Sequence, residues 1–198
     1  ITAGLLAASG ILAALIHREK TGEGQKVDTS LYEAGIVHTY WQSAIAGATG
    51  ISPGPLGSAH PLTAPYQAFK TKDKWITVGA SNQNTWLMLL KAINREDLND
   101  NEKFSSNASR KKNLNELVKI LNDELIKKRS EEWLKIFDEN GLPCGPINSI
   151  TDMFKDPQTI ERGMIIEVNN KKAGTSKAIG MPIKFSKSKT EKSKGAPD

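Results

Sequence analysis

A single cysteine, Cys144, stands in a chain of 198 residues, which excludes an internal disulfide framework and any cysteine-built metal centre. Set between Pro143 and Gly145, that thiol is expected to be a passive packing residue, in keeping with a reducing compartment. Histidine is almost as scarce, with His17, His38 and His60 forming no paired metal motif. A phosphate-binding glycine fingerprint and a Ser or Cys nucleophile elbow are both absent. The longest apolar run, Ile1 to Ile16, ends at His17, Arg18, Glu19 and Lys20, short of the roughly 20 residues a membrane span needs. No basic segment precedes it, so it does not read as a signal peptide, and no start methionine is present, so the chain reads as a piece of a longer protein.

A net charge of +5 raises the question of nucleic acid until the charge is located. Residues 171–198 hold eight lysines against Glu191 and Asp198, whereas residues 1–170 hold nineteen basic and twenty acidic groups. Basicity therefore belongs to the tail, where the run from Lys184 to Lys194 reads as a solvated charged segment. No nucleic-acid fold motif accompanies it, and neither a nucleic acid nor a membrane is expected as a partner.

Small and large apolar residues fill the first segment: Gly4, Ala7, Ala8, Gly10, Ala13 and Ala14 alternate with Leu5, Leu6, Ile11, Leu12, Leu15 and Ile16. With hardly a polar face, this is the pattern of a helix enclosed on most sides, N-capped at Thr2 and stopped at Gly22. Lys26–Ser30 is expected to be a short strand leading into a helix through Leu31, Ile36 and Val37. Glycine and proline crowd residues 46–65, which are expected to be a linker or ordered loop. Tyr66–Phe69 and Trp75–Val78 flank a polar turn and predict a hairpin, followed by a helix capped at Asn82 or Asn84 that carries Trp86, Leu89, Leu90 and Ile93. Leu114–Leu125 and Ser130–Gly141 predict two more helices, and Met164–Val168 and Ala178–Phe185 two late strands. The four tryptophans, at core spacing, are expected to be buried. His60 is the only histidine in a rigid irregular loop, Gly57–Pro65, and a loop histidine is useful to chemistry only beside a partner.

Four motifs in series give the chain a likeness: Gly10-Ile-Leu-Ala-Ala-Leu15, Thr21-Gly-Glu-Gly-Gln-Lys-Val-Asp28, Gly57-Ser-Ala-His-Pro61 with Ala64-Pro-Tyr66, and Leu142-Pro-Cys-Gly-Pro-Ile147. In order and spacing they resemble the class III CoA-transferase family (CaiB/BaiF type). The nearest likeness is to its succinate–hydroxymethylglutarate group, through Pro65–Asp73 and through Gly145–Asn148 followed by Phe154 and Asp156-Pro157. The resemblance implies an α/β plus α+β fold: residues 1–45 as the end of a Rossmann-like large domain, 46–65 as linker and active-site loop, 66–170 as a small α+β domain, and 171–198 as a basic return segment cut short. It implies CoA transfer between small dicarboxylic acids through an aspartyl-CoA thioester, with the nucleophilic aspartate one position ahead of Ile1, so that no catalytic residue lies in the chain and the piece alone is inactive. Ile1, Thr2 and Ala3 would offer helix N-terminal amides to that carboxylate and to the oxyanion formed on attack. The family's glycine-rich active-site loop corresponds to His60, Pro61, Leu62 and Thr63, which would bind the acid substrate; here proline stiffens it.

The implied partners are an acyl-CoA thioester, as substrate rather than resident cofactor, a small carboxylic acid, and a second copy in an interlocked homodimer. No metal is implied, and the compartment would be mitochondrial in a eukaryote and cytoplasmic otherwise. Two other readings stay open: an acyl-CoA racemase of the same family, and a non-catalytic protein-binding module that uses the small domain and basic tail.

Overall fold

A computed structural model describes residues 1–170, 172 and 174–188, and these divide between two compact units, Ile1–Gly57 and Ser58–Asp198. The rest of the basic tail, from Lys189 on, lies outside the described residues.

The first unit is built from three helices. Rich in alanine and leucine, the strongest helix formers, α1 (Thr2–Thr21) ends where Gly22 takes a left-handed φ of 78° and its N–H closes on the Arg18 carbonyl at 2.8 Å. Ile1, not Thr2, occupies the N-cap. The Thr2 hydroxyl instead meets His38 Nε2 at 2.8 Å and is lost to capping. Ser30 caps α2 (Leu31–Val37), accepting from the Glu33 N–H at 3.1 Å, and α3 (Tyr40–Thr49) ends at Gly50 with φ 70°.

Two expectations change here. Lys26–Ser30 forms no strand, because the unit offers no second strand to pair with and Ser30 is committed to its cap. The irregular stretch also begins later than residue 46, since α3 carries the chain through Thr49. The enclosed-helix pattern of α1 is covered only in part: Val27 seats against Gly10, where a Cβ would lie 2.7 Å from its Cγ1, while Leu5 and Leu12 stay about 60% exposed. Ala34 is the one buried residue of the unit.

In the second unit β1 (Tyr66–Lys70) and β2 (Trp75–Gly79) form the expected antiparallel hairpin, with Phe69 facing Ile76 across the pair. A third strand, β3 (Cys144–Pro146), adds antiparallel to β2, leaving β2 central. Its ending on Pro146 suits an edge strand, which can spare an N–H. Helices α4 (Gln83–Ile93), α6 (Leu114–Leu125) and α7 (Ser130–Glu139) bury Trp86, Leu89, Leu90, Leu117, Leu121, Leu125, Trp133 and Phe137 in one core with Phe69, Ile76 and Val78. Asn82 caps α4 reciprocally, accepting from the Thr85 N–H at 2.9 Å while Thr85 Oγ1 accepts from the Asn82 N–H at 3.1 Å. Between α4 and α6 lie a 3₁₀ turn, Glu96–Leu98, and the short α5 (Asn107–Lys112).

Only two of the four tryptophans are core: Trp86 and Trp133 are buried, whereas Trp75 and Trp41 remain 50% and 41% exposed. Cys144 packs half-buried against the core, and burial pushes its thiol pKa up, as a passive role requires. After the short helices α8 (Ile150–Met153) and α9 (Pro157–Glu161), β4 (Ile165–Asn170) and β5 (Gly174–Ile179) form a separate antiparallel pair. The second of these strands begins and ends earlier than Ala178–Phe185. Gly180 stops it by packing so closely on Gly163 that a Cβ there would lie 2.2 Å from the Gly163 oxygen, and Pro182 has no N–H to continue a ladder.

Candidate functional site

The loop before β1 is organised around its histidine. His60 Nδ1 accepts from the backbone N–H of Leu62 at 3.0 Å and of Thr63 at 3.1 Å. Two donors aimed at Nδ1 assign the tautomer whose proton sits on Nε2. The imidazole also stacks on the Tyr66 ring, with centroids 5.2 Å apart and planes 3° from parallel. The His60 N–H donates to the Tyr66 carbonyl at 2.9 Å and so closes the loop at its base. His60 thus caps its own turn in the way an asparagine or aspartate caps an Asx turn, and Pro61 fixes one φ inside that turn.

Helix α5 holds the loop from below. Lys111 Nζ donates to the His60 carbonyl at 3.0 Å, Asn107 Nδ2 to the Leu62 carbonyl at 2.9 Å, and Arg110 Nε to the Ala64 carbonyl at 2.7 Å. Asn107 Oδ1 in turn accepts from the Ala64 N–H at 3.0 Å. Arg110 is 1% exposed, sits 4.8 Å over the Trp86 ring, and gives further bonds to the Phe104 carbonyl and Gln83 Oε1. With carbonyls and an amide as its partners, burial pulls its pKa below the ordinary guanidinium value.

Thr63 carries a buried hydroxyl oxygen with no hydrogen-bond partner among the described residues. Tyr66, the ring stacked on His60, also lines an open cleft of about 370 Å³ with Thr77, Gly79, Ser81, Pro143 and Cys144. The structure therefore brings His60, Pro61, Leu62 and Thr63 together in one pinned loop beside a cleft. Ile1, Thr2 and Ala3 lie in the other unit, at the start of α1, where no side chain caps the first turn and no acidic residue occupies it. Among the described residues no group of His, Cys, Asp and Glu could hold a metal ion, and no helix is long and apolar enough to cross a membrane.

Sequence reasoning passed over Tyr66 as a stacking partner and α5 altogether. The signal for α5 was present as Asn107, Arg110 and Lys111 at helical i, i+3, i+4 spacing, but that spacing does not point to a loop about 45 residues away.

Two solved structures are similar to the chain in fold. A CaiB/BaiF family protein from Brucella suis superposes with a TM-score of 0.77 at 31% identity, over 94% of this chain and 48% of that one. A protein from M. tuberculosis gives 0.78 at 26% identity, over 93% and 48%. The mixed α/β architecture with small sheets is thus that of CaiB/BaiF proteins. The family model of CoA-transferase family III matches residues 1–198, and the chain belongs to that family. Among curated relatives, succinyl-CoA:glutarate CoA-transferase of Mus musculus is 33% identical over 100% of this chain and 45% of its own length. Succinyl-CoA:mesaconate CoA-transferase of Haloarcula marismortui is 33% identical over 91% and 45%. The chain therefore spans a little under half the length of the curated relatives it matches.

Proposed function

We propose that the full-length protein transfers CoA from succinyl-CoA to a small dicarboxylic acid, and that the His60–Thr63 loop binds the acid. The observation that carries this reading is the similarity, over 91–100% of the chain, to relatives named for succinyl-CoA with glutarate or mesaconate. An aspartate preceding Ile1 attacks the acyl carbonyl of succinyl-CoA and expels the CoA thiolate, giving a mixed anhydride. The thiolate then attacks the aspartyl carbonyl, succinate leaves, and an aspartyl-CoA thioester remains. Attack by the acceptor carboxylate reverses the sequence, passing CoA to the acceptor and freeing the aspartate.

The uncapped first-turn amides of α1, at Ile1, Thr2 and Ala3, stabilise the ionised aspartate and the oxyanion formed on each attack. His60 shapes the acid pocket and moves no proton, because its Nδ1 is engaged by two amides of its own loop. The Thr63 hydroxyl, buried and without a partner among the described residues, supports a ligand at this loop. The reading includes a homodimer, CoA thioester as substrate with no resident cofactor, and a 198-residue piece that is inactive alone.

Full-length protein given succinyl-CoA and glutarate is expected to produce glutaryl-CoA and succinate in equal amounts. Absence of CoA exchange with glutarate, mesaconate and other small dicarboxylates alike would overturn the proposal. Epimerisation of a 2-methylacyl-CoA in the same preparation would favour the racemase reading instead.

A further inference from the structure

We infer that α5 is the positioning element of the acid-binding loop, with Asn107, Arg110 and Lys111 setting the loop conformation on which acceptor-acid affinity depends. This rests on the reading of His60–Thr63 as an acid site. The inference comes from a match of two periodicities. Residues i, i+3 and i+4 of a helix share one face, and the three on this face of α5 take the carbonyls of alternate loop residues, Lys111 that of His60, Asn107 that of Leu62 and Arg110 that of Ala64. Asn107 also takes the Ala64 N–H, so its amide clamps the loop from both polarities.

The chemistry of the three fits this work. Arg110 is buried with its guanidinium directed to the Ala64 and Phe104 carbonyls and Gln83, and it makes no ion pair with a carboxylate among the described residues. Lys111, half-buried, likewise has no ion pair there. Two cations committed to carbonyl oxygens add positive potential beneath a loop proposed to receive an anion, and they hold its backbone without adding a negative charge. From the loop's side, the internal bonds of His60 fix residues 60–63, while α5 fixes where that turn stands relative to the helical core. The three α5 residues act through the loop, so they are positioning residues.

The test uses the full-length protein with Asn107→Ala, Lys111→Met and Lys111→Arg. Loss of one hydrogen-bonded anchor is expected to raise KM for the acceptor acid about tenfold in N107A and K111M, with kcat and KM for succinyl-CoA within about threefold of wild type. K111R keeps a donor for the His60 carbonyl and is expected to restore the acid KM. Hydrogen exchange provides a readout that does not need the reaction: in N107A the peptide covering residues 60–66 should exchange faster while α4 is unchanged. A wild-type protein without transferase activity defeats the proposed function, and the exchange arm then still decides whether α5 holds the loop. An active wild type whose variants keep the acid KM, or show unchanged exchange at 60–66, overturns the inference. So does equal loss in K111M and K111R.

Discussion

His60 is where residue chemistry separates a binding role from proton transfer. Its Nδ1 serves as acceptor for two amides, a job an asparagine Oδ1 performs at the same position in an Asx turn. His60→Gln in the full-length protein places the amide one carbon too far from the backbone, and its KM for the acid is expected to rise about tenfold, more than kcat falls. His60→Asn should lie closer to wild type despite losing the ring that stacks on Tyr66. Steady-state kinetics with the acid varied distinguish the cases: a kcat loss of about a hundredfold at constant KM, in both variants, would mark a proton-transfer residue. At this scale the sequence was legible in part. His60 stood out because no other histidine sits among prolines and glycines, but the identity of its partners did not, since amides of Leu62 and Thr63 carry no side-chain signature. Trp75 and Trp41 misled for the opposite reason: their side chains are typical of cores, yet each lies on an exposed face.

Among the elements, the β1–β2 turn is tied to the start of α7 by Asp73. Its carboxylate accepts from the Ser130 N–H at 2.8 Å, the Lys74 N–H at 3.0 Å and the Thr71 hydroxyl at 3.1 Å, and pairs with Arg129 at 3.3 Å. The Ser130 bond, foremost, lowers its pKa to about 2 from the ordinary 3.8. A folded pKa below the unfolded one means that Asp73 stabilises the fold fully above the ordinary value, and that this contribution is lost as pH falls through about 2. Urea midpoints measured from pH 5 down to about 2 should therefore fall less steeply in Asp73→Asn than in wild type; parallel curves would show that the tie contributes nothing. Elements with strong local signals were readable in advance: the hairpin around residues 70–74, the helix start at Asn82 or Asn84, which the structure resolves to Asn82, and the leucine spacing of α6. Those defined by partners were not. Lys26–Ser30 has strand-like residues but no neighbour, β3 is a strand only because β2 lies beside it, and β5 stops at the close approach of Gly180 to Gly163.

For the whole molecule, the family was legible because four motifs lie in order along the chain, and such order survives where local structure is ambiguous. For residues 1–45, expected to be the end of a Rossmann-like domain, the described structure is helical, and these residues form no strand that would carry that character. The proposed function turns on a covalent intermediate just ahead of α1, whose first turn no side chain caps. The most direct measurement is intact-mass and peptide mass spectrometry of the full-length protein quenched after mixing with succinyl-CoA, alongside the 198-residue chain alone. The account predicts a CoA adduct on the full-length protein only, mapped to an aspartate immediately before Ile1 and discharged by glutarate. An adduct on the isolated chain, or on another residue of an active full-length enzyme, would contradict it.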